Sequence, residues 1–286
     1  MYLVRLQAQR MPFDQKLGQR SFDKLKRHLS KLPESSAPES VHRFRTYSRR
    51  VEVLLGELEP KLSGNEKKLL RLLAKLRKKA GKVRDLDVQL ELLRNLRSPQ
   101  AAGHKAQLQS FLSAERVKRE KKLQKAFDKD TVADLRKRLK RAERDVKIPE
   151  KIEPLATAQK LVNQVQSDGP MTEETLHQYR IAGKRARYLA ELAGNSAEAQ
   201  TLATQLKTMQ DGIGDWHDWL QLTAHAENLF GGVQDSSLVA QLRNVTRAKY
   251  REAVRVLNTT KATIVSKPPD SERKMPSKVP KAASAA

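Results

Sequence analysis

Residues 176–192 read LHQYRIAGKRARYLAEL, and the fold of this chain turns on how that stretch is wound. His177, Arg180, Lys184, Arg185 and Arg187 crowd into a short span, yet the residues between them favour helix. At about 100° per residue, Arg180, Lys184 and Arg187 fall at roughly 300°, 340° and 280° from His177. Leu176, Tyr179, Ala182, Ala186, Leu189 and Ala190 take the opposite arc, from roughly 120° to 260°. The stretch is thus an amphipathic helix with a basic stripe about 15 Å long, a length suited to an extended anion with repeated charges. Thr172 before Glu173, Glu174 and Thr175 supplies an N-cap, and Gly194-Asn195 a stop, which predicts a helix over 173–193.

The same pattern occurs earlier. VHRFRTYSRRVEVLLGEL (41–58) aligns His42 with His177, Arg45 with Arg180, Arg49 with Lys184 and Arg50 with Arg185, at an offset of 135. His42, Arg45 and Arg49 share one arc, and Val41, Phe44, Val51, Leu54 and Leu55 the other. A second pair follows in the same order. GKVRDLDV (81–88) matches GDWHDWLQ (214–221), placing Gly81 on Gly214 and Asp85 on Asp218 at an offset of 133. Two motifs repeated in order at nearly one offset indicate duplication. The expected organisation is one helical bundle over 12–147, a second over 150–260, and a disordered basic tail over 266–286 rich in Pro, Ser, Lys and Ala.

Nearly every segment from 14 to 257 has helical periodicity, and no alternating strand pattern stands out, so the fold class is all-α. Breaks fall at 31–40, 63–65, 97–103, 147–154, 167–174, 193–196 and 230–237, where Pro, Gly, Ser and Asn gather. The 286 residues carry 57 Lys and Arg against 33 Asp and Glu, a net charge of +24 with a pI near 10.3. Such an excess favours polyanions: phosphate polymers, nucleic acid or acidic lipid. The absence of cysteine rules out disulfides, thiolate catalysis and zinc ribbons. MYLVRLQAQRMPFDQ lacks an apolar signal core and no apolar run is long enough to span a bilayer, so a cytoplasmic protein without membrane insertion is expected.

A third stripe lies in EKKLLRLLAKLRKKAGKVRD (66–85). Lys67, Lys68, Arg71, Lys75, Lys78 and Lys82 fall within roughly 100° of arc, without the interleaved Glu that relieves repulsion on ordinary surface helices. This stripe reads as a further anion surface or as a solvated face. The charges of 116–125 and 135–147 spread around their axes and read as solvated. Asp85 and Asp218, with Arg84 and His217, are expected to hold the Arg or His residues of the adjacent bundle in place. Trp216 and Trp219, three apart, suit a core or interface. Asp211, Asp215, His217, Asp218 and His225 admit a metal reading, but their spacing fixes no ligand set.

His-x-x-Arg-x-x-x-Arg/Lys-Arg, once per half, resembles the motif of the conserved-histidine α-helical domain, or CHAD, family. His177, Arg180, Lys184, Arg185, Arg187, Tyr188 and Glu191 match its second copy, and GKVRDLDV and MQDGIGDWHDW resemble its companion motifs, over about residues 12 to 260. The resemblance implies two four-helix bundles related by pseudo-twofold symmetry, with basic helices lining a shared cleft. It implies inorganic polyphosphate as ligand and association with polyphosphate granules. The leading expectation is non-catalytic binding of polyphosphate by His42, Arg45, Arg49, Arg50, His177, Arg180, Lys184, Arg185 and Arg187, with Arg71, Lys75, Lys78 and Lys82 added from the third stripe, and with no cofactor and no metal. Glu-x-Glu-x-Lys, the hallmark of triphosphate tunnel domains that some members carry, occurs at Glu57, Glu59 and Lys61, but beside Pro60 and without strands to build a barrel. Glu52 departs from the first motif, where another Arg is usual, and is expected to pair with Arg45 or Arg49. Two other functions compete: nonspecific nucleic-acid binding, with few aromatics to stack bases, and a metal-dependent phosphohydrolase built on His217 and Asp218.

Overall fold

The computed structural model describes residues 13–32, 37–149, 151–165 and 169–265. Those residues form nine α-helices and no strand. In chain order they are α1 (Gln15–Lys31), α2 (Pro38–Val53), α3 (Gly64–Asn95), α4 (Ala102–Gln124), α5 (Lys129–Asp145), α6 (Pro154–Asn163), α7 (Glu173–Leu192), α8 (Ala197–Phe230) and α9 (Ser237–Val265). The expected tail over 266–286 lies outside the described residues.

The caps are written in the sequence. Asp14, Asp128, Thr172 and Ser196 each accept a hydrogen bond from the backbone N–H three residues on, and Ser63 with Glu66 forms a reciprocal capping box. Gly231 ends α8 with φ +82°, a conformation that a Cβ would strain. One break was not among those expected: α4 and α5 are divided at Lys125–Phe127, and its signal is Asp128, the N-cap of α5. α2 does not stop at Val53 but continues as a π-helical turn over Leu54–Leu58, which holds one residue more than an α-helical turn would.

Antiparallel neighbours bury their apolar arcs against each other. α1, α2, α3 and α5 pack together, as do α6, α7, α8 and α9, and the two groups meet where α2 faces α7 and α3 faces α8. α3 and α8, with 32 and 34 residues, are each about 50 Å long and run through the whole molecule. The larger apolar core contains Phe22, Phe44, Leu69, Leu76 and Val83 together with Tyr179, Leu189, Ile213 and Trp216, so it draws on both sides of the 147–154 stretch. A smaller core joins Leu86, Leu90 and Leu93 of α3 to Leu108 and Leu112 of α4, Trp219 and Leu222 of α8, and Leu238 and Leu242 of α9. Both tryptophans are core residues. The cores change over between Val83 and Leu86 on α3 and between Trp216 and Trp219 on α8, and Asp85 and Asp218 stand at that changeover.

Candidate anion-binding site

Four helices contribute charge at the changeover. Arg180 of α7 lies within the electrostatic reach of Asp218 on α8, Asp85 on α3 and Arg45 on α2. Arg45 extends over α3, its Nη1 3.7 Å from Asp85 Oδ1. This is possible because residue 81 is glycine: a Cβ there would stand 2.5 Å from Arg45 Nη1. Gly214, its counterpart in sequence, has nothing within 4 Å of where a Cβ would sit. Asp85 acts on both halves, since its charge also favours the charged form of Arg180 on α7. Its ion pair is with Arg45 of its own half, because α2 and α3 are direct neighbours, while Arg180 of the other half stands close by.

The cations of this cluster outnumber its carboxylates, and burial raises the cost. Burial, with Arg77 beside it, pushes Arg49 down to about 10. Lys184 is pushed down to about 7, first by burial, then by Arg180, Arg49 and Arg45, with Asp218 opposing. Arg45 and Arg180 are also lowered, chiefly by burial. Neither Arg49 nor Lys184 makes an ion pair among the described residues, and the Nε of Arg180 is buried without a hydrogen-bond partner. Asp218 is raised to about 6, first by burial, and remains largely ionised at neutrality.

The histidines flank the cluster. His42 is lowered by burial and by Arg84, Arg45 and Arg187, which leaves a neutral imidazole at pH 7. His177 packs against His217 with ring centroids 5.7 Å apart. Burial and then Arg180 push His217 down to about 4. Among the described residues no three His, Cys, Asp or Glu side chains stand close enough to hold a metal ion. Asp215 pairs instead with Lys249 at 2.6 Å and Asp211 with Lys207 at 2.5 Å.

Arg50, Arg185 and Arg187 have a different use. Arg50 of α2 donates to Glu191 of α7 at 2.7 Å, and Arg185 of α7 donates to Glu57 at the end of α2. The two bridges are reciprocal across the α2–α7 contact. Arg187 lies 3.3 Å from the same Glu191, and both Arg50 and Arg187 rest on the Tyr188 ring. Glu57 and Glu191 are 134 apart against 135 for Arg50 and Arg185, and the additional residue of the π-helical turn accounts for the difference.

Glu52 is a further correction. It binds Arg77 of α3 at 2.8 Å rather than Arg45 or Arg49. Arg77 lies on the apolar arc of α3, facing α2, and neutralises a carboxylate that burial would otherwise leave exposed to no partner. A charged residue on an apolar arc was the available sign of this pair.

The lysine stripe does not join the cluster. Lys75, Lys78 and Lys82 line a hollow of about 240 Å³ between α3 and α4, with Lys79, Arg119 and Lys122. Arg71 is exposed one turn earlier and is not part of that lining. Arg119 and Lys122 belong to the 116–125 segment read as merely solvated. The wheel of α4 alone spreads its charges, and only its packing against α3 gathers these two.

The CHAD domain family model matches residues 16–227. The crystal structure of the CHAD domain from the plant Ricinus communis is similar in fold, with a TM-score of 0.65 at 16% identity, over 94% of this chain and 97% of that one. No curated protein matches this chain.

Proposed function

Since the chain belongs to the CHAD domain family, we propose that it binds inorganic polyphosphate at the α2–α7 cluster, without catalysing a reaction. One observation carries this reading: Arg45, Arg49, Arg180 and Lys184 are drawn together from two helices, desolvated, and left with too little negative charge. A protein that gained nothing from such a cluster would be more stable without it. A chain of phosphates would supply the missing charge through charge-assisted hydrogen bonds, forked from Arg and single from Lys. His42 and His177 flank the path, and His42, held neutral by burial and its cationic neighbours, can donate to a phosphate oxygen. Arg50 and Arg185 act as braces that hold α2 against α7.

In this reading the chain is a duplicated pair of four-helix bundles, α1, α2, α3 and α5 against α6 to α9. The reciprocal Arg50–Glu191 and Arg185–Glu57 bridges support it. The setting is the cytoplasm, at polyphosphate granules, which a fluorescent fusion imaged against stained granules would test.

Titration with long-chain polyphosphate at two salt concentrations tests the ligand. Affinity should fall steeply with salt, as counterion release requires. The Arg49→Gln/Lys184→Gln variant should bind at least about tenfold more weakly. Binding that ignores salt, or that the variant leaves unchanged, overturns the proposal. Single-stranded DNA displacing polyphosphate at equal phosphate concentration would favour nucleic acid instead.

A further inference from the structure

The hollow between α3 and α4 has a chemistry of its own. Six basic residues line it, chiefly through their aliphatic stems: Lys75, Lys78, Lys79 and Lys82 on one helix and Arg119 and Lys122 on the other, with no acid among them. None of the α2–α7 cluster residues lines it. Two facing rows of like charge repel, so something must hold these helices together. Leu90 and Leu93 of α3 pack with Leu108 and Leu112 of α4 in the smaller core. Next to the hollow, Arg116 of α4 donates to buried Asp87 of α3 at 2.6 Å and also to Glu120 at 2.8 Å. The repulsive rows are therefore fixed in place by a core and a buried ion pair, and are not free to splay apart.

Nearby negative charge is already committed. Glu115 pairs with Lys118 at 2.8 Å and with Arg119 at 3.4 Å. The five lysines of the lining make no ion pair among the described residues.

We propose that this hollow is a second anion site, separate from the α2–α7 cluster, and that it takes a compact oligophosphate of two or three phosphate groups. Its 240 Å³ is smaller than the roughly 300–1,000 Å³ of sites for drug-sized ligands, which suits a short anion. The lining is mainly lysine, whose three rotatable donors adjust to tetrahedral phosphate without a planar fork. It contains no aromatic ring, so bases would have nothing to stack on, and this sets nucleic acid second. The site stands independently of the α2–α7 reading.

Lysine acetylation footprinting of the full chain, mapped by mass spectrometry with and without tripolyphosphate, tests it. Lys75, Lys78, Lys82 and Lys122 should be protected several-fold, while exposed Lys137 and Lys140 on α5 label as before. That protection should persist in Arg49→Gln/Lys184→Gln, where the cluster is disabled. In Lys75→Gln/Lys78→Gln/Lys82→Gln, a variant of exposed positions, Lys122 should lose its protection. Equal protection of the α5 lysines, or none anywhere, overturns the site in favour of a diffuse basic field. Loss of protection in the cluster variant overturns its separateness. Stronger protection by single-stranded DNA at equal phosphate concentration overturns the ligand class.

Discussion

In the proposed site, Lys184 is the side chain that would join stability to binding. Its folded value near 7 lies below its ordinary 10.5, so between these pH values the unfolded chain holds a proton that the native chain has shed. Stability therefore rises with pH across that window, and a charged Lys184 costs stability below it. An anion reverses the preference by favouring the charged form. Polyphosphate affinity should fall as pH rises from 6.5 to 8.5, and binding near pH 7.5 should take up a proton, visible by calorimetry in buffers of different ionisation enthalpy. Lys184→Arg keeps its charge and should flatten that dependence. Lys184→Met should melt higher than the parent without ligand, at about 2–4 °C per kcal/mol gained, and lose the ligand response. The basic stripe was legible because helical period alone puts these residues on one arc. The depth of their burial was not, because it depends on how α2, α3 and α8 pack around them.

At the scale of elements, the paired glycines separate pattern from use. Gly81 admits Arg45 to α3, whereas Gly214 faces open space. Gly214→Ala should stabilise α8 by about 0.5–1 kcal/mol through helix propensity. Gly81→Ala should not show that gain, because the new methyl displaces the Arg45 guanidinium; urea unfolding of the two variants compares them directly. The α2–α7 bridges make a second prediction. Their side chains are about 30% exposed at Arg50 and Glu191, so a double-mutant cycle on that pair should give a coupling of about 0.5–1 kcal/mol. Arg50→Gln should change polyphosphate affinity far less than Arg49→Gln does, since Arg50 already has a partner. The internal repeat sets Arg50 against Arg185, but it could not show that both look across to glutamates on the opposite side of the α2–α7 contact.

For the whole molecule, ligand binding and folding are one equilibrium. A polyanion that binds only the native chain should raise its stability by about 2.7 kcal/mol at one hundred times the dissociation constant. The melting temperature should climb with polyphosphate concentration and fall back as salt is added. A constant melting temperature would mean that the cluster gains nothing from the anion. The all-helical class, the helix ends at Thr172, Ser63 and Gly231, the apolar arcs and the family were determined by the sequence itself. The helix ends and arcs depend on residues within a few turns of one another, which helical geometry relates without knowledge of the rest, and the family on motifs that are read as strings of residues. The partners of Glu52, Asp85, Arg50 and Arg185 depended on which helices become neighbours. So did the separation of the lysine hollow from the cluster. Periodicity fixes the arc on which a charge sits, but only packing decides which charge on another helix comes to stand opposite it.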